Sequence, residues 1–312
     1  MTICYDVYKK YKKIVCTAYY KRMKNMFNND SKQKRIDIFE DTLYLCEKDK
    51  NLKNSVQNSI KNQVLIKECD SVETSPPRYE TKAKIIVSQK RSFEAAMNYK
   101  DKKVCVHNFA SATNAGGGVT RGSNAQEECL CRCSTLYPCI SDEKIKNSFH
   151  NAHKTMLHNG TLTALYNDDC IYTPNITIFK SDISFPELLP IDKWQTVDII
   201  TCAAPNLRER PSNAMNPSSG KQAVKINNAD LKALHKKRAN RILDIAKNNG
   251  AEVIILGAFG CGAFQNPPQI VAEGILEAIK QHIYDFKVIE FAIYCSPRDS
   301  QNYEVFNRYF NF

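Results

Sequence analysis

Two adjacent acids, Glu127 and Glu128, stand directly after Gln126, and seven residues separate Gln126 from three consecutive glycines, Gly116, Gly117 and Gly118. Like charges forced together repel, and one carboxyl of such a pair is readily held protonated near neutral pH. A carboxyl in that state is a general acid. In glycoside cleavage it protonates the leaving oxygen, while a carboxylate stabilises an oxocarbenium-like state or activates water. The same acids at the head of an apolar helix also complement its positive N-terminus, so residue chemistry alone leaves both readings open. A second small-residue run is Gly257-Ala258-Phe259-Gly260-Cys261-Gly262-Ala263-Phe264. Glycines in such a run let backbone N–H groups close on phosphate oxygens, and a following helix N-terminus favours anions. The G-x-x-G-x-G spacing is neither a P-loop nor G-x-G-x-x-G. Two such loops, each after a strand, point to a phosphate-bearing ligand.

Elements that could position these loops alternate along the chain. Strands are expected at 84–87, 104–109, 197–202, 252–256 and 287–294, with shorter ones at 63–67, 171 and 176–179. Helices are expected at 31–49, at 92–99 with Ser92 as N-cap, at 126–136, at 229–248 stopped by Gly250, and at 267–280. Lys53 to Asp70 reads as polar chain, and 74–77 as a boundary loop. The alternation from residue 84 onward gives an α/β class with a mixed, largely buried sheet. Residues 1–75 read as an N-terminal helical, basic extension packed on or preceding a second unit, residues 76–312. Residues 1–30 interleave basic residues with tyrosines, a pattern suited to an amphipathic covering helix or to nucleic-acid contact.

The 312 residues carry a formal charge of +11. The excess implies a polyanionic partner. It is unevenly spread: residues 1–30 hold +5, whereas 104–200 hold −3. No apolar run is long enough to span a bilayer, and Met1 to Lys10 lack the apolar core of a signal peptide, so a cytoplasmic protein without a membrane partner is expected. The thirteen cysteines then read as reduced thiols. Cys129, Cys131, Cys133 and Cys139 are spaced poorly for zinc, and no metal is expected there. His150, His153 and His158 read as surface or helix-face residues, Asp168 and Asp169 as turn residues, and Lys232 to Arg241 as a solvated basic helix face. No G-x-S-x-G elbow is present, which disfavours an α/β-hydrolase.

The run NFASATNAGGGVTRGSNAQEECLCRCSTLY, Asn108 to Tyr137, closely resembles the bacterial-type poly(ADP-ribose) glycohydrolases. VDIITCAAPN at 197–206 and LGAFGCGAFQNPP at 256–268 resemble the same family in the same order. The resemblance covers about residue 31 to the C-terminus. It implies a macrodomain-like three-layer α/β/α fold with a central mixed sheet and an N-terminal helical extension. It implies release of ADP-ribose from poly(ADP-ribose), exo-acting, with no cofactor. Carried over by position, Glu128 is the catalytic acid, Glu127 orients the ribose and Gln126 supports the loop. Gly116, Gly117 and Gly118 would wrap the diphosphate and distal ribose. Asn108, Ala110 and Asn114 would lie on the ribose side. Gly257, Ala258, Phe259, Gly260, Cys261, Gly262 and Ala263 would hold the diphosphate, and Phe264 would pack beside the distal ribose. Residues after the 197–202 strand and Tyr294 to Tyr303 are candidate adenine walls. Ala115 stands where the family commonly has proline, which puts only the stiffness of the loop in doubt. Two other activities fit the same residues: hydrolysis of mono-ADP-ribose from protein or nucleic acid, and binding without cleavage. The intact glutamate pair favours an enzyme. The partner is then poly(ADP-ribose) or an ADP-ribosylated macromolecule, with ADP-ribose as product. Direct nucleic-acid binding is not favoured, and a monomer is expected.

Overall fold

The structure is a computed structural model that describes residues 31–310 apart from 74, 214–216 and 297–298. The tyrosine-rich segment 1–30 lies outside the described residues, as does part of the loop expected at 74–77.

Seven strands form one mixed sheet: β1 (Val64–Ile66), β2 (Lys84–Ser88), β3 (Val104–Ala110), β4 (Cys170–Ile178), β5 (Gln195–Ala203), β6 (Val253–Leu256) and β7 (Val288–Ala292). Their order is β1-β4-β5-β3-β6-β7-β2. β5, β3, β6, β7 and β2 are parallel, and the β4 and β1 edge is antiparallel. The five parallel strands therefore end on one rim, with Ala110 beside Ala203, Leu256 beside Phe291, and Ser88 beside Ala292.

Alternating side chains send each strand's apolar residues to both faces, which is why these strands read as continuous hydrophobic runs. Cys105 enters a core with Ile200, Ile254 and Ile289 on one face. That core is covered by α7 (Asn228–Asn248), α8 (Pro268–His282) and α9 (Gln301–Phe310). Val104 and Val106 enter the opposite core with Ile199, Ile255 and Val288. It is covered by α1 (Ser31–Lys48), α2 (Lys50–Asn62), α3 (Ser92–Ala96), α4 (Gln126–Cys133) and α5 (Leu136–Ile140). The three-layer α/β/α arrangement follows. Segment 31–66 contributes α1, α2 and the edge strand β1 to this same body.

Several local expectations are corrected. Residues 50–62 are helical, not irregular: Asp49 Oδ1 accepts from the N–H groups of Asn51 and Leu52, and Leu52, Val56 and Ile60 recur at four-residue steps against the core. Arg91, not Ser92, is the N-cap of α3, and the Arg91 N–H donates back to Glu94 at 3.1 Å. The helix expected over 126–136 breaks at Ser134, whose extended backbone bridges to Ile178. The two short strands at 171 and 176–179 are one strand, β4, carrying an irregularity between Thr173 and Ile176 where Asn175 has φ 58°. A further helical stretch passes through Glu143–Ile145 and a π-helical Lys146–Asn151 into α6 (Ala152–Asn159).

His150 and His153 are buried on this stretch rather than on the surface, the first facing the carbonyl of Ala112 at 3.3 Å and the second Asn167 Oδ1 at 2.7 Å. Asp168 is a buried partner of Arg238 at 2.6 Å, so the supposed solvated face of α7 carries one internal guanidinium. Cys131, Cys133 and Cys139 pack in the apolar core. No helix among the described residues is long and apolar enough to cross a membrane.

Candidate active site

A cleft of about 370 Å³ lies on the rim where the parallel strands end. It begins with Ser111 after β3 and Ala204 after β5, passes the 257–264 loop after β6, and reaches Ile293 and Tyr294 after β7 and Arg91 after β2. Gln126, Glu127 and Glu128, the first turn of α4, form its wall on the β3 side.

Gln126 fastens that turn to the sheet. Its Oε1 accepts the Phe109 N–H at 2.9 Å, and its Nε2 donates to the His107 carbonyl at 2.8 Å and Ser92 Oγ at 3.0 Å. Glu127 Oε2 accepts the Ser111 N–H at 2.8 Å, and its Oε1 faces Asn108 Nδ2 at 3.5 Å. Glu128 Oε1 accepts the Gly118 N–H at 2.9 Å, while its buried Oε2 has no protein partner among the described residues. Burial pushes both carboxyls above the ordinary range. For Glu127 the charge of Glu128 adds to the rise and the Ser111 N–H opposes it. For Glu128 the Gly118 N–H and Arg132 oppose it. Double ionisation of an adjacent buried pair is disfavoured, so the pair retains a proton toward neutral pH.

The two glycine loops line the same cleft as this pair. Gly117 has φ +57°, and a Cβ on it would lie 2.5 Å from Glu128 Oε1. Only glycine combines that backbone with that approach. Gly260 has φ +80°, and a Cβ there would meet Ala204 Cβ and Asn266 Nδ2 at 2.7 Å. Asn266 holds this loop from below, donating to the carbonyls of Pro205 at 2.7 Å and Gly260 at 3.1 Å. The N–H groups of Gly260, Gly262 and Ala263, all lining the cleft, have no acceptor among the described residues. Such a row of unsatisfied backbone donors suits phosphate oxygens.

The structure brings together in the cleft Gln126, Glu127, Glu128, Gly117, Ala258, Gly260, Gly262, Ala263 and Phe264. Gly116 packs beside Tyr137, and Gly118 reaches the site through its N–H to Glu128. Asn114 closes the turn beneath Gly117, accepting its N–H at 2.9 Å. Asn108 and Ala110 are fully buried on β3, where Asn108 donates to Thr201 Oγ1 at 3.2 Å and supports Glu127 from behind. Gly257 and Phe259 also sit behind the loop, Gly257 against Phe109 and Phe259 among His107, Phe109 and His235. Cys261 turns toward the α7 and α8 core. Phe264 stands against Tyr166, ring centroids 6.2 Å apart, and its carbonyl accepts the Leu207 N–H at 3.0 Å.

Of the candidate adenine walls, Ala204, Tyr294 and Asn302 line the cleft. Residue reasoning missed Arg91, Ser111 and Asp182. The signal for Arg91 was its place just after a parallel strand; Asp182 carried none, because only the return of the chain after β4 brings it to the N–H of Phe93.

Known proteins resemble this arrangement. The family model "Microbial-type PARG, catalytic domain", PARG being poly(ADP-ribose) glycohydrolase, matches residues 32–181. The chain is similar to the crystal structure of the poly(ADP-ribose) glycohydrolase from Thermomonospora curvata, with a TM-score of 0.73 and 23% identity, covering 89% of this chain and 100% of that one. It is similar to the Deinococcus radiodurans poly(ADP-ribose) glycohydrolase in complex with ADP-ribose, with a TM-score of 0.64 and 26% identity, covering 82% of this chain and 97% of that one. No curated protein sequence matches at a significant level.

Proposed function

We propose, from the premise that this chain belongs to the microbial-type poly(ADP-ribose) glycohydrolase family, that it hydrolyses the ribose–ribose O-glycosidic bonds of poly(ADP-ribose) and releases ADP-ribose. The observation that carries this reading is the buried Glu127–Glu128 pair, held by backbone N–H groups in a cleft whose opposite wall offers unsatisfied N–H donors.

Glu128 is the general acid and base. Its Oε1 is occupied by the Gly118 N–H, so a proton carried by Glu128, which burial favours, sits on Oε2. Oε2 gives that proton to the leaving ribose oxygen as the bond from the anomeric carbon to that oxygen breaks. The resulting Glu128 carboxylate takes a proton from water as the water oxygen bonds to the anomeric carbon, which restores the acid. Glu127, with both oxygens facing protein donors, orients the ribose. The diphosphate, seated on the N–H groups of Gly260, Gly262 and Ala263, lies beside the developing positive charge and stabilises it.

The mode is exo. Phe264, braced by Tyr166 and tied to Leu207, walls the cleft beyond the distal ribose, so a chain end fits where a continuous chain would collide. Residues 31–310 act as one catalytic unit, the partner is the polymer or an ADP-ribosylated macromolecule, and the protein works as a cytoplasmic monomer.

Purified polymer incubated with the protein should yield ADP-ribose monomers without intermediate oligomers. Glu128→Gln should lose about 10²–10⁴-fold in rate, the usual worth of a general acid, while still binding ADP-ribose. Release of no ADP-ribose by the wild type, or full activity in Glu128→Gln, overturns the reading. Early oligomers would overturn the exo mode alone.

A further inference from the structure

We propose that Arg208 and Arg210 hold the diphosphate of the polymer unit on the leaving side of the scissile bond, a subsite outside the cleft that makes a chain of ADP-ribose a better substrate than a single ADP-ribosyl group. The inference rests on the function proposed above and adds to it a ground for choosing between the two substrates named there, the polymer and an ADP-ribosylated macromolecule.

The order of the strands sets the direction in which the leaving chain runs. The glutamate pair belongs to the β3 side of the cleft, the N–H donors of the 257–264 loop follow β6, and β3 lies between β5 and β6 in the sheet. With the diphosphate of the bound unit over the β6 loop and its distal ribose at the glutamate pair, whatever is joined to the anomeric carbon continues toward the chain that follows β5. Phe264 closes that end of the cleft, and its carbonyl is tied to the Leu207 N–H. The leaving unit therefore passes over the residues next to Leu207. In the polymer, the ribose on the leaving side carries a diphosphate of its own; a protein side chain in its place carries none.

The residues next to Leu207 form a turn pinned at both ends by one buried side chain. Asn206 is fully buried, and its N–H donates to the Ala164 carbonyl at 2.8 Å. Its Oδ1 accepts the Arg208 N–H at 3.4 Å, and its Nδ2 donates to the Pro211 carbonyl at 3.2 Å. The turn between these anchors presents Arg208, half-buried, and Arg210, exposed. Neither guanidinium makes a hydrogen bond or an ion pair among the described residues. By contrast, Arg132, Arg238 and Arg241 all donate to protein carbonyls. Burial raises the Tyr166 hydroxyl, and the charge of Arg208 opposes that rise, which sets this guanidinium near the ring that braces Phe264. Glu209 is the one acid between Pro205 and Ile226, a stretch that also holds Lys221 and Lys225, so the local field is positive. Two planar guanidiniums on a fixed turn, with their donors uncommitted, match the oxygens of a diphosphate.

Two substrates isolate the leaving side. Di-ADP-ribose and an ADP-ribose joined by the same bond to the 2′-oxygen of adenosine present the same bound unit and the same scissile linkage, but only the first leaves with a diphosphate. The wild type should show a kcat/KM about tenfold higher for di-ADP-ribose, the scale of charge-assisted contacts at a solvated site. Raising the salt to about 0.5 M should shrink this ratio toward one, an arm that needs no variant to fold. In the double variant Arg208→Gln, Arg210→Gln the ratio should fall to near one through loss on di-ADP-ribose alone, with ADP-ribose affinity by calorimetry as in the wild type. Arg208→Lys with Arg210→Lys should keep part of the preference. Equal kcat/KM for the two substrates in the wild type overturns the inference, as does an unchanged ratio in the folded glutamine variant. Equal losses on both substrates also overturn it, because the arginines would then support the cleft and not the leaving unit. Release of product from neither substrate by the wild type overturns the glycohydrolase reading itself, an outcome separate from the ratio.

Discussion

Replacing Gly117 by alanine tests whether the glycine loop sets the position of the catalytic carboxyl. Two effects combine. Residue 117 has φ +57°, and a side chain in the left-handed region adds about 1–2 kcal/mol of strain. The new Cβ would also stand 2.5 Å from Glu128 Oε1 and 3.2 Å from Glu127 Oε2, where ordinary contact begins at 3.4 Å. Glu128 must therefore retreat by roughly 1 Å, and a displacement of that size at a reacting group is worth about 10²-fold in rate. The strain adds to this to the extent that the loop swings away from Gly118, whose N–H fixes Oε1. The expected loss in kcat/KM is on the order of 10²–10³-fold, with a fall in Tm of a few degrees. Gly160→Ala separates the two effects. Gly160 has φ +81°, and a Cβ there would meet nothing within 4 Å, so it carries the strain and not the collision. Release of ADP-ribose from polymer and a thermal melt on both variants decide the matter. Gly160→Ala should lose Tm and keep its activity. If Gly117→Ala stays within about threefold of wild type, the loop does not determine where Glu128 sits, and the reasoning fails.

Gln126→Ala should leave the Phe109 N–H and the His107 carbonyl without their partner, at about 1–3 kcal/mol for each buried group, and should lower kcat more than it weakens ADP-ribose binding. Denaturant unfolding together with single-turnover rates checks both halves. Arg238→Met removes one partner of a buried ion pair with Asp168 and three hydrogen bonds to the carbonyls of Ala203, Leu165 and Tyr166; a loss of about 3–5 kcal/mol is expected in urea unfolding. Asp182 sets a pH dependence of stability. Its folded carboxyl titrates near 6 and the unfolded one near 4, so the native state binds the extra proton and stability declines as pH rises through that window. Asp182→Asn does not titrate there, and its stability relative to wild type should improve between pH 4 and 6 and level off above; a flat difference across that range contradicts the burial of the charge.

The parts of the site legible in the sequence are those built from neighbours along the chain. Gly117 and Glu128 are close in sequence, and the run from triple glycine to paired glutamates places loop and helix turn together whatever the rest of the fold does. The parallel strands were legible because their two-sided burial writes an unbroken apolar run, as at Val104 to Phe109. α2 was hidden by composition, since the spacing of Leu52, Val56 and Ile60 is diluted by lysines and asparagines on its exposed side. The family resemblance implies a place on the ribose side for Asn108, whereas strand alternation and burial turn its side chain toward Thr201 and Glu127. His150, His153 and Asp168 look like surface residues in any window of sequence. Their burial depends on partners such as Ala112, Asn167 and Arg238, which come from distant segments. Asp182 belongs to the same class.

The charge of the chain acquires a different meaning from this geometry. A net charge of +11 suggests that cations grip the anionic ligand, yet Arg91 is the one Lys or Arg among the described residues lining the cleft, and it faces the Tyr294 ring. In the proposed function the diphosphate rests on neutral N–H groups, and the chemistry is assigned to two carboxyls on a segment with net charge −3. This division follows from what a general acid needs. A lysine or arginine close to Glu128 would favour its ionised form and remove the proton it must donate. Arg132 shows the compromise: it lowers Glu128 somewhat, but its guanidinium is bound to the Ser123 carbonyl and Asn124 Oδ1. Backbone amides hold phosphate without that penalty, because each presents a partial charge fixed in direction. The basic residues elsewhere are then free to attract a polyanion over distance, while the cleft stays acidic enough to keep its proton.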